Sequence, residues 1–415
     1  MVVTALLVPS HRISMKSTPL LFLALFLLAM VSVPFVHALT LSLVTTVSVG
    51  GEPNGVAYDS AKGEIFVANE QSNTVSVISD STNAVVATIN VGTYPLALAY
   101  DSAKGEVFVV ENSAGVVGVI SDSTNTVVAN VTAGTSPTGI AYDSGKGELF
   151  VLNSNTNTVS VVSDVSDAVV ATVALPAGSY PAGLAYDSAK GEVFVADTDV
   201  SMVSIISDST NAIVANVQVA QDPVDAVYDS AKGEVFVAAD FDGNLSVISD
   251  STNAVVANVS VPNGAQAVAY DSAKGEIFVL PEFNQDITVV SDSNDATVGT
   301  VSVGAGINGE PEAIAYDSAK GELFVSDTAS NVVSVISDSS SSAPPSTSAT
   351  TASTSSAATT SSLNAAPSTT SSSSSSSSVA ISSSYLWLLA ANALVLLALG
   401  WAAAKKRQTV SVPRV

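Results

Sequence analysis

The phrase Y-D-S-(A/G)-K-G-E-(I/V/L)-F-V begins at Tyr58 and returns at Tyr100, Tyr142, Tyr186, Tyr228, Tyr270 and Tyr316. The spacings are 42, 42, 44, 42, 42 and 46 residues. Self-similarity at this period marks propellers and solenoids, in which one unit must stack on its neighbours because it cannot bury its apolar faces alone. Four short runs rich in Val, Ile, Phe and Ala make up each unit; in the second copy they cover 96–100, 106–110, 116–120 and 126–131. Gly, Pro, Asn, Asp and Ser clusters bound them, so strands are expected and helices are not. The second run, Ile65-Phe66-Val67-Ala68 in the first copy, is apolar on both faces, as in a sheet sandwiched between sheets.

The connections D-S-A-K-G and S-D-S-T-N carry hairpin chemistry: an Asx-type start and a residue that tolerates left-handed backbone. Four antiparallel strands, seven times over, predict an all-β, seven-bladed β-propeller over 39–338. The last unit reaches Asp338 without a fourth strand. At the other end, L-S-L-V-T-T-V-S-V-G at 41–50 matches the fourth-strand phrase N-A-V-V-A-T-I-N-V-G at 83–92, so the N-terminal strand is expected to complete the last blade and close the ring.

Three segments carry a family resemblance: Val91-Gly92-Thr93-Tyr94-Pro95, Phe66-Val67-Ala68-Asn69, and the run from Val75 to Ile89 (V-S-V-I-S-D-S-T-N-A-V-V-A-T-I). Over all seven units the chain resembles the YVTN β-propeller repeat proteins of archaeal surface layers and other cell surfaces. The resemblance implies a propeller displayed outside the cell. The family's Asn at the end of the second strand is kept at Asn69 and Asn153, but Glu111, Asp197, Ala239, Pro281 and Asp327 replace or flank it elsewhere, so binding at that position would not be uniform. WD-repeat propellers share the period, but no repeat here contains Trp or His.

All 37 acidic residues lie between Glu52 and Asp338, where the only basic residues are the seven repeat lysines, leaving a net charge of −30. Such a surface repels nucleic acid and anionic lipid and favours cations or basic partners. Each lysine is expected to sit in an exposed turn beside Glu, in a pair worth little. Without cysteine the chain has neither a disulfide nor a thiolate metal site, and both histidines, His11 and His37, fall before residue 39.

Residues 1–38 read as a secretory signal peptide: Arg12 and Lys16, an apolar run over 19–36, then Val36-His37-Ala38 as a small-x-small cleavage site. The run is long enough that an uncleaved anchor fits as well, and Met15 is a second candidate start. Residues 339–384 collapse to Ser, Thr, Ala and Pro with no charge, a stalk suited to O-glycosylation or an unmodified linker. Residues 385–404 are apolar enough to form a transmembrane helix, with Tyr385, Trp387 and Trp401 at its interfaces. Lys405-Lys406-Arg407 opens the tail 405–415 and places it in the cytoplasm, which puts the propeller outside a single-pass anchor.

Comparison of the seven copies separates two faces. The loop between strands one and two is nearly constant, and that between three and four is constant in four copies. The other two connections diverge and share the opposite face, which is acidic and spotted with aromatics. Candidate ligand-binding residues there are Tyr94, Tyr180, Asp197, Asp199, Asp240, Phe241, Asp242, Glu282, Phe283 and Asp286. Drift on an unconstrained face is the competing reading. Paired carboxylates occur at Asp197/Asp199, Asp240/Asp242 and Glu282/Asp286; a glycosidase-like role is open to them, and the same pairs suit Ca²⁺. Asp240-Phe241-Asp242-Gly243-Asn244 resembles the start of a calcium loop, but its Gly is misplaced and no terminal Glu follows. Solvated turns remain the plainer reading, and no catalytic residue, cofactor or metal ligand is assigned. Sequons occur at Asn130, Asn244 and Asn258. The expectation is a binding, adhesion or surface-layer module anchored in the membrane, meeting an extracellular protein, a glycan or neighbouring surface proteins. The alternative is an exported propeller enzyme, a lyase, hydrolase or quinone-type dehydrogenase, with converging polar groups in the central channel.

Overall fold

The four apolar runs of each repeat form one four-stranded antiparallel sheet, and there are seven such sheets. The computed structural model describes residues 40–262, 264–281, 285–302 and 310–338. The leader, stalk, membrane span and tail expected from the sequence lie outside the described residues, as do Glu282 and Phe283. Among the described residues no helix is long and apolar enough to cross a membrane.

The first strand of the chain, β1 (Leu41–Ser48), is separated from its sheet by the whole ring. The first blade follows as β2 (Pro53–Asp59), β3 (Glu64–Asn69), β4 (Thr74–Ser79) and β5 (Ala84–Asn90). Five further blades cover 95–132, 137–174, 181–218, 223–260 and 267–302. The last consists of Pro311–Asp317, Glu322–Asp327 and Val332–Asp338, with β1 paired antiparallel to Val332–Asp338 as its fourth strand. The register confirms the match read from sequence. Every fourth strand carries a one-residue bulge, at Val86 in the first blade, and β1 carries it at the equivalent Val44. The bulged valines are about half exposed, and the bulge twists each outer edge away from regular pairing.

The core lies between blades. One seam joins Phe66, Val75, Val77 and Ile89 of the first blade to Val107, Val109 and Ile120 of the second. The closing seam joins Val47, Phe324, Val333 and Val335 to Ile65, Val67 and Ile78. Each second strand contributes a phenylalanine with 0–1% exposure, from Phe66 to Phe324, and truncating one to Ala would cost about 3–5 kcal/mol.

The constant phrase explains itself at these seams. Asp59 Oδ1 accepts the backbone N–H of Ala61 at 2.9 Å and of Lys62 at 3.1 Å, an Asx turn that Gly63 completes at φ +66°. A Cβ at Gly63 would lie 2.5 Å from the Asp80 carboxylate, so this glycine serves both the left-handed turn and the close approach of the 3–4 loop. Tyr316 Oη donates to Asp271 of the preceding blade at 2.7 Å. Tyr142, Tyr186 and Tyr270 donate instead to Asp164, Asp208 and Asp292 of their own blades, and burial together with the preceding blade's aspartate raises the phenols' pKa, as at Tyr100 beside Asp59 and Tyr58 beside Asp317.

The lysines depart from the expected pairing with the Glu of their own turn. Lys62 reaches Asp122 of the next blade at 3.3 Å, Lys104 reaches Asp164 at 3.3 Å, and Lys274 reaches Asp338 at 2.5 Å. Lys320 joins the last blade to the first through Asp80 at 3.5 Å. Only Lys232 also pairs with the Glu of its own turn, Glu234, at 3.7 Å. The partner sits about 60 residues on, in the next blade, which explains why the local phrase conceals it. Because the ammonium ends are about a third exposed, each bridge contributes only ~0.2–1 kcal/mol, far less than a buried phenylalanine. The seams hold the ring, and the Tyr–Asp–Lys clasps set how blades meet.

Glu276 pays for this crowding of acids: burial, then the neighbouring Asp338 carboxylate, pushes it up to about 7 against the opposing pull of Lys274. A carboxyl raised on folding favours the protonated fold, so its contribution is present below the ordinary 4.5 and lost as pH rises through about 7. Glu276→Gln is therefore expected to raise the melting temperature at about pH 8 and to flatten its fall between about pH 5 and pH 8, as read by calorimetry across that range.

Candidate functional site

Backbone hydrogen bonds assign the loops to faces. Asp80 N–H bonds Gly63 O at 3.0 Å, joining the 3–4 and 1–2 loops, whereas Glu70 N–H bonds Glu52 O at 2.8 Å, joining the 2–3 loop to the preceding 4–1 connection. The acidic, divergent connections thus share one face, opposite all seven repeat lysines.

On that face Tyr94 and Tyr180 stand 51% and 50% exposed, and Phe241 is 74% exposed. Both tyrosines occupy left-handed backbone, at φ 58° and 47°. Glu52, Ser136 and Asp222 hold the equivalent position in other blades at φ 52°, 51° and 55°. Turns elsewhere in the molecule fill such positions mainly with Asn, Asp or Gly, which tolerate them best. The tyrosines are held there by the previous blade: Tyr94 N–H donates to Asn73 Oδ1 at 3.0 Å and Tyr180 N–H to Asn157 Oδ1 at 2.8 Å. Bulky aromatic side chains are therefore presented on rigid, mildly strained backbone.

The acidic candidates divide. Asp197 is fully buried, accepts Ser204 Oγ at 2.5 Å, and has its carboxyl pushed up by burial against the pull of Ser204 and Ser179. Asp199, two residues on, is exposed, so the pair does not converge. Asp242 is exposed and accepts Gln221 N–H at 3.0 Å, while Asp240 is half-buried and its N–H donates to Asp222 O at 3.0 Å. Asp286 opens a third strand opposite Ser302. Among the described residues no three acidic or histidine side chains converge as a metal site would require. Asn130 and Asn258 are exposed on outer strands, and Asn244 opens a third strand half-buried.

The inner strands contact one another in a closed circle and bring together polar residues that loop comparison misses. Asp225 occupies a first-strand position filled elsewhere by Gly55, Ala97, Gly139, Gly183, Ala267 and Ala313. Its carboxylate accepts Val268 N–H of the next blade at 3.0 Å and Ala226 N–H at 2.9 Å, and burial pushes it up to about 6. Nearby in the ring, Gln266 donates to Glu312 at 3.3 Å and Asn54 to Glu70 at 3.5 Å. Burial raises Glu312, with Glu310 and Glu70 adding to it, and burial raises Glu70, with Glu52 adding to it. A strand-by-strand comparison of the first runs, rather than the loops, is the signal that would have found Asp225.

No protein-family model matches the chain, and no curated protein does. Solved structures do. The chain is similar to Kuenenia stuttgartiensis hydrazine synthase, with TM-score 0.62 and 15% identity over 70% of this chain and 96% of that one. It is also similar to the Cps50 (Swd1) β-propeller domain of Myceliophteria thermophila, with TM-score 0.60 and 11% identity over 72% of this chain and 99% of that one. The chain is a seven-bladed β-propeller. At these identities the likeness reaches the fold and no further.

The backbone cost at Tyr94 is testable. Tyr94→Gly is expected to leave the melting temperature unchanged or to raise stability by about 1 kcal/mol, since Gly adopts this backbone freely. A lowered melting temperature would show that the ring packs as part of the scaffold.

Proposed function

We propose that the chain is a cell-surface binding or adhesion propeller, anchored in the membrane through 385–404 and recognising its partner on the face of the 2–3 and 4–1 loops. One observation carries the reading: Tyr94 and Tyr180 hold half-exposed rings on left-handed backbone where a smaller residue would fold at lower cost. Large rigid aromatics are the residues that most often anchor interfaces, and here they stand in an acidic field that favours a basic protein surface or a polyhydroxylated glycan. The leader, the Ser/Thr tract and the apolar C-terminal run support export and anchoring, and the resemblance to YVTN surface proteins supports the same location. A binding role is preferred to an enzymatic one because Asp225 and Glu312 of the inner strands, and Glu70 of the adjoining 2–3 loop, are each engaged with a backbone or amide neighbour. A passive surface-layer element would not need exposed rings on strained backbone.

The full chain in lipid vesicles provides the test. Tyr94→Ala, Tyr180→Ala and Phe241→Ala combined are expected to reduce vesicle retention on isolated cell envelopes at least about thirty-fold, as loss of a ~2 kcal/mol anchor would. The melting temperature should stay within a few degrees. Undiminished retention by the triple variant would reject the aromatic face as the recognition surface.

A further inference from the structure

The second blade departs from the others at three positions that meet in one groove. Where the second strand ends, the first and third blades place Asn69 and Asn153, and Asn69 donates to Thr74 Oγ1 at 3.1 Å and Ser76 Oγ at 3.0 Å. Asn153 donates likewise to Ser160 Oγ at 3.0 Å. In the fourth blade an acid takes the place, and Ser204 supplies its proton donor. The second blade has an acid and no such donor: Glu111 replaces the Asn, Val116 the Thr, and Gly118 the Ser.

Glu111 is only 3% exposed. Its Oε1 accepts Gly92 N–H at 2.8 Å, the one side-chain hydrogen bond Glu111 makes among the described residues. A Cβ on Gly118 would lie 2.8 Å from Glu111 Oε1 and 3.6 Å from Asn130 Oδ1, so the Glu111 carboxylate takes the place of the serine found in other blades, with Asn130 Oδ1 beside it. There the serine hydroxyl serves the outer-strand Asn, as Ser246 does for Asn258 at 3.0 Å. Asn130 has lost that partner too. The groove between the first and second blades has a volume of about 500 Å³, within the range of small-ligand sites, with Val91, Val116 and Val127 as its apolar lining.

We infer that this groove binds an alkylammonium group, with the charged nitrogen between Glu111 and Asn130 and the carbon chain against the valines. A buried carboxylate with one donor wants a further donor and a positive charge, and the chain supplies neither, since every repeat lysine lies on the opposite face. The Gly92 N–H already takes one lone pair of Oε1, which favours the single-point contact of a compact ammonium over the two-pronged pairing of a guanidinium. The inference stands on Glu111 and not on the aromatic face, so the two succeed or fail separately.

The test uses the full chain in detergent, produced without glycosylation, and titrates n-butylammonium and Nα-acetyl-lysine methylamide by calorimetry. Saturable binding of n-butylammonium is expected. Glu111→Gln keeps the shape and the Gly92 bond while removing the charge, and should weaken binding at least about ten-fold at an unchanged melting temperature. Gly118→Ser should weaken it by pushing the Glu111 carboxylate out of its place. Binding of the lysine derivative as well would assign the site to a lysine side chain, and binding of n-butylammonium alone would assign it to a free amine. No saturable binding by the parent chain, or equal binding by Glu111→Gln, overturns the inference.

Discussion

Each sheet of this molecule is apolar on both faces, and that constraint governs everything else. The second strands are buried beyond their opening Glu, with Phe66 and its six counterparts between sheets, so a blade alone would leave two greasy surfaces in water. Seven blades solve the problem only by closing into a ring. Closure depends on β1, which is distant in sequence from the sheet it completes and supplies Val47 to the seam between the last and first blades.

The clasps contribute less energy but more geometry. Tyrosine meets the preceding blade, lysine meets the next, and the Asp between them builds the turn from which both project. A residue that contacts neighbours on both sides has little freedom to vary among copies, which gives the constant phrase a physical reason. The opposite connections carry no such double duty. Their positions hold Tyr, Glu, Ser or Asp on similar backbone, and the differences between blades are free to serve recognition.

Much of the fold was legible because it repeats: strand runs, turn chemistry, blade count and the closing strand all follow from aligning the chain with itself. What escaped was pairwise and long-range. The lysine bridges span about 60 residues, so no local reading of D-S-A-K-G-E reveals Asp122 as the partner of Lys62. Asp197 reads as a loop acid from its place beside Asp199, yet strand pairing turns it inward onto Ser204. Glu111 was visible as a departure from Asn, but its meaning required knowing that Gly118 lies across from it. Exposure of Tyr94 could be guessed from loop position, whereas its left-handed backbone could not.

The most direct measurement is native-state hydrogen exchange on the full chain carrying Val47→Asp. If the ring is held by its seams and closed by β1, amides of the first blade around Val67 and of the last around Val333 should lose protection together, since both line the seam that Val47 fills. Protection lost in β1 alone, with both flanking blades unaffected, would contradict the account.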